Sequence, residues 1–463
     1  MMDIYHAGHV IIWLGPIKKS STEKAVELMF KKAGSMWTEW EPVDNDDNTI
    51  LAAEFGQDYN AVVIAAINIL KRPWFERVWT IQEACFDTSP IMYASRHSVY
   101  LEHFIQFFQI LAEENKSLYL CSGSARMICL DKIDHLYRSA IMAWDDDPTK
   151  TETGKLLVTI LRLAGRKNSS DPKDQIYGLL SLLKYFKHEN LPEELKPDYR
   201  LSHEEVYWNY AVFLFKSLGD LQLLDSTRNE LEHVPSWVPD FRYLFLGHKP
   251  RCESYVRVSS DKRTLHLRGC KMGTFCNLKK RHVREDVKPC IEAIPAWLPY
   301  QCREFDKHIL KPAATIREIT IEELFNEIVE KAIMIMDRTS KESFYQVYRR
   351  LCKSSGGRRP RHAKRKLTPD LLWIEETIAD MLIAPWILLN DGTVMSVFRR
   401  DADIETGDLV CLLKGAPALS LLRPSGDSYR YLSQCKVRSG QLKDQEFEDE
   451  FWTGRDVEDL SLI

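Results

Sequence analysis

The 463-residue chain has no CxxC pair among its 11 cysteines, and its cysteines and histidines show no zinc-ligand spacing. Neither a zinc module nor a dithiol redox motif therefore organises it, and no metal is expected. The scattered thiols read as reduced packing side chains of an intracellular, cytoplasmic protein. Long hydrophobic runs are missing too. The longest, such as AVVIAAINIL, fall short of the roughly 20 residues a membrane span needs. The amino-terminal run Val10–Leu14 has five apolar residues and no basic lead-in, so it is not a signal peptide. A glycine-rich phosphate loop is also absent, so no nucleotide cofactor is expected. Neither charge sign dominates: 63 Lys and Arg face 67 Asp and Glu, and a net charge of −4 gives no global pull toward nucleic acid or membrane. The 13 histidines do not cluster, and no Ser/His/Asp or Cys/His nucleophile set can be assembled.

What remains is an ordinary globular composition long enough for two or three domains. VIIWLG reads as a short strand buried on both faces and ending at Gly15. A helix follows, with Ser20 and Glu23 spaced as a capping box. A strand feeding directly into a helix suggests an α/β unit, short of strands on one side. NAVVIAAINIL is apolar on most faces and predicts a buried helix. Pro73 suits the first turn of another helix, running through KRPWFERVWTIQEAC. Further helices are expected from about Asp174 and after Ser202, the latter as N-cap.

The pattern changes near HVPSWVPDFR. YVRVSSDKRTLHLRG alternates about a polar turn and predicts a hairpin. TIEELFNEIVEKAIMIMD is an amphipathic helix within an insertion. WILLNDGTVMSVF, GDLVCLLKG and LSLLRPSGDSYRYLSQCKV predict a small antiparallel sheet or partly closed barrel. The expected divisions are residues 1–185, a helical connection at 186–245, a β-rich domain at 246–440 with its insertion at about 277–382, and an acidic tail at 441–463. The basic loop 353–366 is a weak nucleic-acid candidate, because no aromatic is interleaved for base stacking; a solvated loop explains it as well.

Several segments resemble fungal heterokaryon-incompatibility (HET) domain proteins, in the same order. They are IYHAGHVIIWLG with Trp13 and Gly15, RPWFERVWTIQEA with Arg72, Trp74, Phe75, Arg77, Trp79, Gln82 and Glu83, and DPKDQIYGLLSL with Asp171, Pro172, Asp174 and Tyr177. KPDY, VPSWVPDF with Trp237, LHLRG, GDLVCLLKGAPALSLLRP and YRYLSQCKV extend the similarity. The segments that usually precede these in the family are not seen, so the resemblance implies an N-terminally truncated member. It implies a helix-rich α/β domain, TIR-like at the level of fold, followed by a β-rich domain. It further implies non-self recognition and programmed cell death through protein partners, and, by fold analogy alone, NAD cleavage with a catalytic Glu; the shortening leaves a third reading, an inactive paralogue acting only as a binding module.

Two readings of the Trp-rich segment stay open. On a continuous helix, Arg72, Glu76, Trp79 and Glu83 share one stripe, with Arg72 and Glu76 paired and Glu83 near the unfavourable C-terminal end. They then form either a buried polar network that fixes docking or a cleft in which Trp79 walls a ligand and Glu83 is the candidate catalytic base. Arg77 would pair with Asp171 or Asp174; either aspartate can instead cap the next helix. Trp237, between Pro235 and Pro239, is expected to anchor one domain on the other.

Overall fold

The computed structural model describes residues 10–17, 20–39, 50–86, 90–114, 152–164, 167–187, 190–227, 231–244, 254–279, 293–294, 297–332, 341–354, 357–358, 384–399, 403–416, 418–439 and 457–463, with isolated positions between 374 and 382 and at 452. The basic loop beyond Ser354, apart from residues 357–358, and the acidic stretch 444–451 lie outside the described residues. The class is mixed α and β, in two units: Met1–Tyr210 with Phe241–Phe245, and Ala211–Asp240 with Leu246–Ile463.

In the first unit, β1 (Ile11–Trp13) pairs in parallel with β2 (Ile91–Ala94), and β2 pairs antiparallel with β3 (His97–Tyr100). Between β1 and β2 run α1 (Ser20–Glu39), a short helix at Ile50–Phe55, α2 (Tyr59–Leu70) and α3 (Thr80–Phe86). After β3 comes α4 (Leu101–Glu114). Strand pleating sends Ile12, Met92 and Val99 to one face, where they join a core with Val26, Met29, Val62, Ile69 and Phe104.

The expectation that β1 is buried on both faces is corrected. Ile12 is 1% exposed, whereas Ile11 is 65% and Trp13 59% exposed. The helices cover one face of the sheet; on the other, Ile11 and Trp13 lie beside Ile91, Tyr93 and Tyr100. β1 is also an edge strand among the described residues. Its ladder to β2 includes the bonds Ile91 N–H to Val10 O and Leu14 N–H to Tyr93 O. The N–H and C=O groups of Ile11 and Trp13 therefore point to the open edge.

The remainder of this unit comprises α5 (Thr153–Ala164), α6 (Asp174–Tyr177), α7 (Leu180–Lys187) and the start of α8 (His203–Leu218). Ser202 caps α8 as expected, in a reciprocal box: Glu205 N–H donates to Ser202 Oγ at 3.2 Å, and Ser202 N–H to Glu205 Oε2 at 2.8 Å.

The second unit contains β4 (Val256–Val258) and the long β5 (Leu265–Lys279), the expected hairpin. Helices α9 (Trp297–Phe305), α10 (Lys311–Arg317), α11 (Ile321–Ala332) and α12 (Lys341–Lys353) follow. Then come β6 (Trp386–Leu389), β7 (Val394–Val397), β8 (Leu409–Leu413), β9 (Leu419–Ser425), β10 (Ser428–Ser439) and β11 (Glu458–Leu462). The antiparallel pairings run β5 to β6, β7, β10, β9, β8 and back to β5, so six strands close on themselves. Closure removes the open edges that a flat sheet of these strands would carry. Register shifts at Val410/Cys411 and Leu421/Leu422 help bend the sheet. Ile387, Leu389, Val410, Leu412, Leu421 and Leu432 belong to the core that the strands enclose. The far end of the chain, expected as an acidic tail, includes β11, which pairs with β5 along its length and with β10 at one position.

Candidate functional site

The segment Arg72–Glu83 is broken where the sequence predicts a continuous helix. Arg72 is extended, as a residue before proline prefers, and Pro73–Glu76 form a single 3₁₀ turn. Arg77 is extended again. There the backbone leaves the helical ladder for a long-range bridge: Val78 N–H donates to Asn168 O at 3.1 Å, and Asn168 N–H to Glu76 O at 2.5 Å. The Thr80 hydroxyl donates to Arg77 O at 2.6 Å as α3 begins. The predicted stripe of Arg72, Glu76, Trp79 and Glu83 is thereby dissolved. Arg72 turns to the loop after β1 and donates from Nη2 to Pro16 O at 3.2 Å. Gly15, at φ +89°, supplies the left-handed backbone of that loop.

Glu83 falls in the first turn of α3, where the helix dipole favours a carboxylate, and not at the unfavourable end. Its partner is the Trp74 indole, whose Nε1–H donates to Glu83 Oε2 at 2.6 Å. Trp74 also meets the fully buried Phe75 edge to face, with centroids 5.0 Å apart. Glu83 is half-buried, and its Oε1 has no protein partner among the described residues. Cys85, two residues on, is a buried thiol of the kind used in packing.

The element Asp171–Gly178 lies directly against this segment. Gln82, 1% exposed, donates from Nε2 to Gly178 O. A Cβ on Gly178 would come within 2.7 Å of Asp174 O, 3.2 Å of Val78 Cγ1 and 3.5 Å of Trp79 Cε2. Glycine is thus what lets the two segments approach. Gly178→Ala should cost about 1–3 kcal/mol by overpacking, read as a lowered denaturation midpoint; an unchanged midpoint would show that the contact is slack. The buried Lys167 adds a bond from Nζ to Phe75 O at 3.0 Å. Gln175 donates to Lys167 O at 2.7 Å. Lys167, Asn168 and Gln175 were not singled out by the sequence reading; Gly178 stands out there only as a glycine where the resembled motif has alanine. Nothing local marks a lysine whose partner is a carbonyl 92 positions away; only the polar loop around it was legible.

The expected pairing of Arg77 with Asp171 or Asp174 is corrected. Arg77 is exposed, and the two aspartates are used locally. Asp171 Oδ1 accepts Lys173 N–H at 3.0 Å, closing the turn into α6. Asp174 Oδ1 accepts the Tyr199 hydroxyl at 2.8 Å. Pro172 O accepts the Tyr207 hydroxyl at 2.7 Å. The Tyr177 hydroxyl donates to Asp198 O at 3.2 Å and accepts Asp198 N–H at 3.1 Å. Lys173 reaches Tyr199 O and Leu201 O at 3.1 and 3.3 Å. The DPKDQIY element therefore holds KPDY in place.

Within KPDY, the Arg200 guanidinium and backbone N–H hold the Asp198 carboxyl down at about 2, from an ordinary 3.8. A depressed carboxyl favours the fold above its unfolded value. This contribution is complete above about pH 4 and is lost as pH falls through about 2. Titrating the Asp198 carboxyl by NMR checks the value, which should return toward 3.8 in Arg200→Ala.

Trp237 is fully buried in the second unit. It meets Phe215 edge to face at 5.6 Å and donates from Nε1 to Arg263 O at 3.1 Å. Among the described residues no group of three or more His, Cys, Asp and Glu side chains could hold a metal ion. No helix among them is long and apolar enough to cross a membrane.

Residues 1–83 match the family model described as Heterokaryon incompatibility protein (HET), so the chain carries this domain match near its N-terminus. The match contains Trp13, Gly15 and the whole Arg72–Glu83 segment; Asp171–Tyr177 and Trp237 fall beyond it. No curated protein and no solved structure matches the chain.

Proposed function

We propose that this chain is a non-self recognition protein of heterokaryon incompatibility, which engages a protein partner and promotes cell death in a fungal cell. The observation that carries the reading is the edge and open face of β1, inside the HET match. Exposed Ile11 and Trp13, beside a strand edge with no pairing among the described residues, suit the addition of an extended partner segment. The charged residues of the signature support interaction before chemistry, since Glu83 is engaged by Trp74 and Arg72 by Pro16. The reading takes the protein to act inside the cell, through contacts between proteins, with no cofactor.

A second reading is NAD cleavage of TIR-like type, with Glu83 as the catalytic carboxylate. One observation favours it: the Oε1 atom of Glu83 has no protein partner among the described residues.

Expression of the full chain in a fungal host separates the two. The recognition reading expects loss of viability, rescued by Trp13→Asp and unaffected by Glu83→Gln. Trp13 is exposed, so the first change leaves the core untouched. Rescue by Glu83→Gln, with nicotinamide release from purified wild-type protein that this variant lacks, would favour the enzyme. Full tolerance of the wild-type chain at high expression would refute the death-promoting role.

A further inference from the structure

The helices between β5 and β6 bring two thiols together. Cys302 lies in α9 and is fully buried. Cys352 lies in the last turn of α12 and is the one cysteine not buried among the six described. The Cys302 thiol is close enough to act on the Cys352 thiol. The helices that carry them are clamped around the pair. The Tyr348 hydroxyl, one turn before Cys352, donates to Cys302 O at 2.8 Å. Arg303, next to Cys302, donates from Nη1 to Cys352 O at 3.3 Å and to Ser354 O at 2.8 Å. Tyr348 is itself held by Phe325, stacked at 4.4 Å, and by the edge of Phe305. This backbone and aromatic scaffold limits how far the sulfurs can part.

The two sites differ in a way that suits two roles. Cys352 is reachable from solvent, and its thiol is pulled below the ordinary value. The Cys302 thiol is the main cause, helped by the Tyr348 hydroxyl and the Arg349 guanidinium, against burial and Asp306. A lowered value raises the fraction present as thiolate, the form that attacks peroxides. The barrel thiols show the opposite: burial pushes Cys411 up to about 12 and Cys435 higher still. A partly exposed thiol held below its ordinary value, beside a buried second thiol, is the arrangement of an attacking and a resolving cysteine.

We propose that Cys352 and Cys302 form a reversible oxidation site for hydrogen peroxide, with Cys352 attacking and Cys302 resolving. In the first step the Cys352 thiolate attacks one peroxide oxygen. The O–O bond breaks, an S–O bond forms, and the departing hydroxide takes up a proton and leaves as water. In the second step the Cys302 sulfur attacks the Cys352 sulfenic acid. An S–S bond forms, the S–O bond breaks, and the Cys302 proton leaves with the hydroxyl as a second water. Two thiols are oxidised by two electrons in total, and one peroxide is reduced to two waters. The product staples α9 to α12 across the insertion.

The test uses the full chain, reduced with dithiothreitol, desalted, treated with hydrogen peroxide, blocked with N-ethylmaleimide and mapped by mass spectrometry. The expected product is a linked peptide pair containing Cys302 and Cys352, lighter by two hydrogens and separated again by dithiothreitol. In Cys302→Ala, Cys352 should stop at a sulfenic acid that dimedone traps. In Cys352→Ser, Cys302 should remain unoxidised, because it is buried. Two results in the unmutated chain would overturn the proposal. One is sulfinic acid at Cys352 with no linked peptide. The other is an unoxidised Cys352 at peroxide levels that oxidise free glutathione in the same tube.

Discussion

Trp237→Ala is expected to destabilise the second unit by about 3–5 kcal/mol, the cost of emptying a fully buried aromatic site. The indole is among the largest completely buried side chains. Its loss removes the edge contact with Phe215 and leaves Arg263 O without its indole donor. The surrounding segment has little freedom to collapse into the space. Ser236 N–H donates to Ile463 O at 3.0 Å, and Asp240 N–H to Ser226 O at 2.8 Å, so the backbone is held on both sides of the tryptophan. Hydrogen exchange of the barrel amides provides the readout, because it reports on this unit alone. Trp237→Phe separates the two contributions. It keeps most of the ring volume and loses the hydrogen bond, so about 1–2 kcal/mol is expected. Equal effects of the two substitutions would assign the site's importance to the hydrogen bond and not to the volume.

The second large effect is expected at Asp408, in the turn before β8. Its side chain is 2% exposed and grips Arg423 with both oxygens, from Nε at 2.8 Å and from Nη2 at 3.1 Å. One of the same oxygens accepts Glu405 N–H at 2.9 Å. Asp408→Ala removes the carboxylate but leaves the guanidinium, 22% exposed, against the barrel. Breaking a fully buried pair costs about 3–5 kcal/mol; partial exposure and the remaining contacts with Asp403 reduce this to roughly 3. Asp408→Asn retains one oxygen acceptor and is expected to cost less than half as much. If alanine and asparagine were equally harmful, the charge itself would be the stabilising element. If neither moved the denaturation midpoint, the pair would contribute nothing net.

Much of the architecture was legible because its determinants are local. The alternation on either side of polar turns announced the hairpin of β4 and β5 and that of β6 and β7 around Gly392, which adopts φ +83°. Ser202 and Glu205 stand three residues apart, which is all a capping box requires. The Trp-rich segment failed as a helix prediction for an equally definite reason. Arg72–Glu83 contains nothing that forbids a helix after Pro73, and the helical period is present. The bridge to Asn168 supplies two backbone bonds that a continuous helix would have to forgo, and it is formed by a residue distant in sequence. β1 was misjudged similarly. An apolar strand looks the same whether helices cover one face or two, and only the placement of α1, α2 and α4 shows that Ile11 and Trp13 are left open.

The sequence alone determined the mixed class, the hairpins about polar turns, the Ser202 cap and the HET-domain match near the N-terminus. Each of these depends on residue type and on spacing within a few positions. The tertiary structure decided which groups meet. It paired Glu83 with Trp74, brought Gln82 to Gly178 across 96 positions, closed six strands into a barrel, set the helices of Cys352 and Cys302 side by side and left Ile11 and Trp13 exposed. The physical reason is the same in every case. A long-range contact forms where backbone geometry and packing leave room for it, as the missing Cβ of Gly178 does, and no periodicity along the chain records that space.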